Sequence, residues 1–224
     1  MTILLSIFVV VFGYLIGSIP TAYLAGRWIK KIDLREYGSG TISGSMVWEH
    51  VGKWPLFPVG IFDVLKGTFP TWLALYLGLD DVVAAMAGVA AVVGHNWPIY
   101  LKFTGGRGLS PMLGTWLVLW WPATLWMLIP IAIGWALGDS APWALGTLLT
   151  LPIFSYFAGG PTVVTPTALA FTAITLVKRL EANRRPLPQP GPERRKVILR
   201  RLIFDRDIPH HRTWLDRTPD DDEG

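Results

Sequence analysis

Two short polar segments hold most of the residues that could do chemistry. Tyr37-Gly-Ser-Gly-Thr41 contains Ser39, Gly40 and Thr41, with Ser45 just beyond, and Thr104-Gly-Gly-Arg-Gly-Leu109 contains Gly105, Gly106, Arg107 and Gly108. Glycine turns let backbone N–H groups and a nearby cation face one anion, which is the pattern of a phosphate site. His95 and Lys102 precede the second segment, adding a side chain that titrates near neutrality, the usual general base, and another cation. Neither segment is specific by itself, since a glycine-rich polar stretch is also what a flexible interfacial loop looks like. A third pair, Asp63 and Lys66, lies in an otherwise apolar stretch. A charge inside a bilayer costs about 2.5–3.5 kcal/mol on insertion scales unless paired or wet. Three residues apart on one helical face, the two can pair, either to fix helix packing or to serve a site.

The elements that must position these residues are membrane helices. Hydrophobic residues make up 51% of the 224-residue chain and charged residues 16%, against about 25% charged in soluble domains. Apolar stretches of roughly 20 residues match a hydrocarbon core about 30 Å thick. The fold class is therefore all-α and polytopic, with spans expected at 2–24, 55–77, 82–101, 109–120, 122–137, 142–157 and 162–177. The stretch 109–137 reads as one long helix or as two broken at Trp120-Trp121-Pro122, and charge decides between them. Arg27, Lys30, Lys31, Arg35 and Lys53 place the first loop inside, Lys102 and Arg107 the third, and the basic C-terminal region must also be inside. Only an odd number of crossings satisfies all three, giving seven transmembrane helices, N-terminus out and C-terminus in, with Asp80 and Asp81 in an outer loop. Both glycine segments then share the cytoplasmic side.

The first apolar run is too long for a signal-peptide core and lacks a leading Lys or Arg, so it is read as a retained helix. Trp28, Trp54, Trp97, Trp120 and Trp143 near span ends suit interfacial anchoring. The sequence has no cysteine, which excludes a disulfide framework, a thiolate metal site and a cysteine nucleophile. No internal repeat is visible, which counts against a transporter.

The organisation expected is a membrane domain over 1–180 and a basic cytoplasmic tail over 181–224. Basic residues from Lys178 to Arg201 crowd the start of the tail. Residues 194–204 alternate cationic pairs with apolar positions, as in a short amphipathic helix on the anionic inner leaflet, with 186–192 as its linker. A solvated tail is the other reading, and acidic Asp220-Asp-Asp-Glu223 is expected to be disordered. A basic run directly after a span has a membrane beside it, so nucleic acid is not the expected partner.

Four segments, in this order and spacing, resemble the bacterial acyl-phosphate:glycerol-3-phosphate acyltransferases, the PlsY family. They are Gly17-Ser-Ile-Pro20, Asp33-Leu-Arg-Glu-Tyr-Gly-Ser-Gly40, Asp63-Val-Leu-Lys-Gly67 and Gly94-His-Asn-Trp-Pro-Ile-Tyr-Leu-Lys-Phe-Thr-Gly-Gly-Arg-Gly108. The resemblance implies a multi-pass protein of the bacterial plasma (inner) membrane with its active site facing the cytoplasm. It implies transfer of an acyl group from acyl phosphate to the 1-hydroxyl of glycerol 3-phosphate, giving lysophosphatidic acid for phospholipid biosynthesis, without a metal or other cofactor. Carried over residue by residue, it makes Ser39, His95 and Asn96 the catalytic candidates. Gly40, Thr41, Ser45, Lys102, Gly105, Gly106, Arg107 and Gly108 are the substrate-binding candidates.

The chain departs from the family pattern in three places. Where the family reads Ser-Gly-Asn-x-Gly-Ala-Thr-Asn-x-x-Arg, this chain reads Ser39-Gly-Thr-Ile-Ser-Gly-Ser-Met-Val-Trp-Glu49, putting Glu49 where a phosphate-facing cation is expected. Arg107 replaces a lysine, exchanging a compact ammonium for a planar fork. The last motif, His-Arg-x-Asn-Ile, is here Lys178-Arg-Leu-Glu-Ala182, without the histidine and the asparagine. The alternative reading is a noncatalytic or acceptor-shifted relative that binds lipid or regulates a partner. Oligomeric state is left open.

Overall fold

Each long apolar stretch is helical, because a helix satisfies its own backbone N–H and C=O groups where lipid offers no partner. The structure, a computed structural model, describes residues 2–38 and 40–216. Ser39 and the acidic end expected to be disordered lie outside the described residues. The main helices are α1 (Thr2–Gly17), α2 (Lys53–Tyr76), α3 (Asp81–Asn96), α4 (Leu109–Leu119), α5 (Trp121–Ala136), α6 (Ala141–Phe157), α7 (Val164–Glu181) and α8 (Pro192–Phe204). No strand occurs among the described residues.

Two expected spans are shorter than the hydropathy pattern drew them, and proline is the cause in each. The run read as one helix over 2–24 breaks after Gly17, and Pro20 leads into a short helix, Thr21–Ala25, then a wider turn, Gly26–Lys30. The run read as 82–101 ends its regular helix at Asn96, and Pro98 starts a separate short turn, Ile99–Leu101. Proline disfavours helix in the residue before it and removes a donor. These two breaks turn backbone toward the same region. The expected division of 109–137 at Trp120 is present, with Trp120 extended (φ −168, ψ 95) between α4 and α5.

Small residues bring the helices close. A side chain at Gly17 of α1 would stand 2.1 Å from the Ala91 carbonyl of α3, and one at Gly67 of α2 would stand 1.9 Å from the Pro111 carbonyl of α4. Close backbone approach of this kind substitutes for a hydrophobic driving force, which is lost among lipid tails. The other half closes on larger side chains, with Trp116 of α4 edge-on to Phe171 of α7 at 5.2 Å, beside Met112, Met127, Leu148 and Leu151. The outer surface is apolar: Ile3, Phe57, Ile61, Trp135, Ile153 and Phe157 are all exposed. Such a surface belongs against a nonaqueous phase. By length and composition, Thr2–Lys30 and Asp81–Leu101 suffice to cross a membrane, while α4, α5 and α6 are shorter apolar helices.

Candidate active site

The two glycine segments meet. The backbone N–H of Ile42, just after the first, donates to the Gly105 carbonyl at 3.3 Å. The side-chain amide of Asn183 then donates to the carbonyls of both Gly40 (2.8 Å) and Gly105 (3.3 Å). Asn183 reaches them because the chain leaves α7 through three consecutive left-handed residues, Ala182, Asn183 and Arg184. An asparagine therefore does serve this region, two residues beyond where the family motif places it. Register against the motif hid it.

The second segment folds onto the end of α3. Gly106 donates its N–H to the His95 carbonyl at 3.0 Å. A side chain at Gly106 would stand 2.2 Å from His95 Nε2 and 2.7 Å from the Ile42 carbonyl, and one at Gly105 would stand 2.3 Å from the His95 carbonyl. Gly108, at φ +76, makes the left-handed step into α4, and a side chain there would meet Asn96 Oδ1 at 2.8 Å. The N–H groups of Gly40 and Gly106 both bond within the protein, to Tyr37 and His95. At these two positions the absent side chain, not a free donor, is what the structure uses.

A narrow cleft opens beside this junction, lined by Ser18, Thr21, Ile42, Asp63, Lys66, His95, Gly105 and Gly106 among others. Asp63 and Lys66 form the ion pair expected from their spacing, and both are buried. Thr21, from the break after α1, donates to Asp63 Oδ1 at 2.5 Å and accepts from Lys66 Nζ at 2.9 Å. His95 Nδ1 lies 3.8 Å from the same carboxylate oxygen. Buried charge is thus compensated on every side, as a low-dielectric interior requires. Asn96 is wholly buried, and neither amide atom has a partner among the described residues.

The remaining candidates separate. Arg107 turns toward the C-terminal region, where its Nε donates to Asp205 (2.7 Å) and its Nη1 to the Lys178 carbonyl (3.1 Å). Thr41 is buried, its hydroxyl 3.1 Å from Ser43, while Ser45 and Lys102 are exposed. Glu49, standing where the family pattern has a cation, is also exposed, so its charge faces solvent. Met46, standing for a motif asparagine, is fully buried in an apolar cluster with Leu34, Val47 and Leu101. Sequence reasoning missed Thr21, Asn183 and Asp205. Thr21 carries a signal in retrospect, as a polar residue directly after Pro20 in an apolar run.

Residues 7–187 match the family model for glycerol-3-phosphate acyltransferase. The chain belongs to the glycerol-3-phosphate acyltransferase family. A glycerol-3-phosphate acyltransferase of Synechococcus sp. (strain CC9902) is 46% identical over 123 residues, spanning 55% of this chain and 62% of that protein. Glycerol-3-phosphate acyltransferase 4 of Dehalococcoides mccartyi (strain CBDB1) is 36% identical over 220 residues, covering 92% of this chain and 90% of its own length. The crystal structure of PlsY (YgiH), an integral membrane glycerol 3-phosphate acyltransferase, in its glycerol 3-phosphate form superposes with a TM-score of 0.72 at 28% identity, over 80% of this chain and 90% of that one. Its lysophosphatidic acid form gives 0.69 at 26% identity. With the all-helical fold and the apolar exterior, this makes the protein a multi-pass membrane protein of that family.

Proposed function

We propose that the chain transfers an acyl group from acyl phosphate to the 1-hydroxyl of glycerol 3-phosphate at the junction of its two glycine segments. The observation that carries this is the double hydrogen bond of Asn183 to the Gly40 and Gly105 carbonyls beside the cleft. It joins, in three dimensions, the segments that the sequence holds far apart. The family match and the glycerol 3-phosphate and lysophosphatidic acid forms of the PlsY structure support the acceptor and the product.

In this reading the hydroxyl oxygen attacks the acyl carbonyl, an ester bond forms, the acyl–phosphate bond breaks and phosphate leaves. His95 stands at the cleft as candidate base for the hydroxyl proton. Asn96, with both amide atoms uncommitted, and Ser39 are the groups that orient the reacting atoms. Arg107, Thr41, Ser45 and Lys102 are the proposed phosphate-binding groups, with the glycines leaving room beside them and the N-terminus of α4 adding a favourable partial charge. Holding two substrates in register in a site shielded from water supplies most of the rate.

Seven crossings with the N-terminus out and C-terminus in put this junction on the cytoplasmic face of the plasma membrane, with 1–180 as the membrane domain and 181–224 as a basic tail against it. The test is purified protein in detergent given acyl phosphate and glycerol 3-phosphate. Lysophosphatidic acid and phosphate are expected in equal amounts, and acyl-CoA in place of acyl phosphate is expected to give none. Absence of product where a conventional family member turns over would refute the proposal.

A further inference from the structure

The family match ends at residue 187, and the PlsY structures cover 80% of this chain. α8 begins beyond that limit, at Pro192. The following region is nonetheless built into the protein by buried arginine side chains. Arg179 of α7 donates to the α8 carbonyls of Leu202 (2.6 Å) and Ile203 (3.1 Å), and to Ala141 (2.7 Å). Arg201 of α8, only 1% exposed, forks onto Asp207 (2.6 and 2.9 Å) and donates to the Leu180 and Arg185 carbonyls. Arg206 pairs with Asp139 at 2.5 Å. Three charged forks, each satisfied, fix the end of α8 against α7 and the start of α6.

What they fix is Asp205. It ends α8 in a left-handed conformation, φ +55, which a side-chain-bearing residue adopts at a cost that the surrounding contacts must hold down. Its carboxylate receives Arg107 Nε at 2.7 Å, and the Lys178 carbonyl takes Nη1 at 3.1 Å. Arg107 and Asp205 are 12% and 19% exposed, so the pair is largely shielded. A guanidinium gripped by acceptors at Nε and Nη1 keeps its Nη2 edge for a ligand and loses the freedom to swing.

We infer that Asp205, which lies past the span of the family model, is a positioning residue that aims Arg107 at the phosphate of glycerol 3-phosphate. This rests on the reading of Arg107 as a phosphate-binding residue. A lysine at position 107 offers a point charge that needs no aiming, whereas the planar fork does. The arginine at 107 and the carboxylate at 205 thus act as a matched pair.

The full-length protein is tested as Asp205→Asn, Asp205→Gly and Arg107→Gln, each checked for an unchanged thermal midpoint. Asparagine and glycine both accept positive φ, so the first two remove the charge and leave the backbone at ease. Both are expected to raise KM for glycerol 3-phosphate about tenfold, with kcat within about twofold and KM for acyl phosphate unchanged. Asp205→Glu is expected to recover part of the affinity. If the Asp205 variants leave that KM unchanged or lower it while Arg107→Gln raises it, positioning is overturned, and a fall marks the carboxylate as a competitor of substrate. If Arg107→Gln leaves the KM unchanged, the phosphate-binding reading of Arg107 fails and this inference with it.

Discussion

At the scale of single residues, the glycines of the second segment matter for what they lack. A methyl group at Gly106 would fall 2.2 Å from His95 Nε2 and 2.7 Å from the Ile42 carbonyl, so the histidine, the loop around Ile42, or both must move. Gly106→Ala is expected to lower turnover by about 100-fold, the scale on which a displacement near 1 Å acts, in protein that still folds. Gly60 of α2 is the matched control, because a side chain there meets nothing within 4 Å. Gly60→Ala is expected to keep full activity and gain up to about 1 kcal/mol of stability. Equal activity in the two variants would show that the contact between His95 and the glycine segment is not needed for turnover.

Between the long helices, short elements aim the first glycine segment, and Asp33 ties them together. Its carboxylate accepts from the Arg35 backbone N–H (3.0 Å), from Arg35 Nε (2.9 Å) and Nη2 (2.6 Å), and from Arg27 Nη2 (2.9 Å). The hydrogen-bonded Arg35 side chain above all holds its carboxyl below the usual carboxylate range, against the opposing effect of burial. A folded-state value below the unfolded one means that this stabilisation is fully present above about pH 3.9, the unfolded reference, and is lost as pH falls through the folded value. Asp33→Asn is expected to cost about 1–3 kcal/mol at pH 7. Its thermal midpoint should fall less steeply between pH 5 and 3 than that of the parent, and equal slopes in melting curves would remove Asp33 from this role. The same scale shows what the sequence made legible. Long apolar periods marked the main helices, and the Trp120-Trp121-Pro122 break divides α4 from α5 as expected. The Asp63 and Lys66 spacing predicted their ion pair. Hydropathy could not show the breaks after Gly17 and Asn96, because Ile19 and Ile99 keep the apolar signal running through them. Nor could motif register find Asn183, which arrives through an unwound helix end.

Across the whole molecule, the packing gives every buried charged side chain among the described residues a partner, while large apolar side chains face outward. Asp63, Lys66 and His95 are gathered at one cleft. The other charged forks, Arg107 with Asp205, Arg201 with Asp207 and Arg206 with Asp139, lie at the end of the bundle where α8 docks. Cations gathered at one end are what the orientation rule assigns to the cytoplasmic side. The absence of cysteine from the sequence makes that orientation measurable with single substitutions. Lys31 is exposed in the connection that follows the short turn after α1, Asp81 is exposed at the first residue of α3, and the Lys196 side chain on α8 is 62% exposed. With seven crossings and an outer N-terminus, a membrane-impermeant maleimide is expected to label Asp81→Cys in intact spheroplasts. Lys31→Cys and Lys196→Cys should react only after the membrane is opened. Labelling of Lys31→Cys from outside with protection of Asp81→Cys would invert the orientation and move the glycine segments away from the cytoplasm. Opposite behaviour of Lys31→Cys and Lys196→Cys would make the number of crossings even, and the short helices α4 and α5 would then have to count as a single traverse.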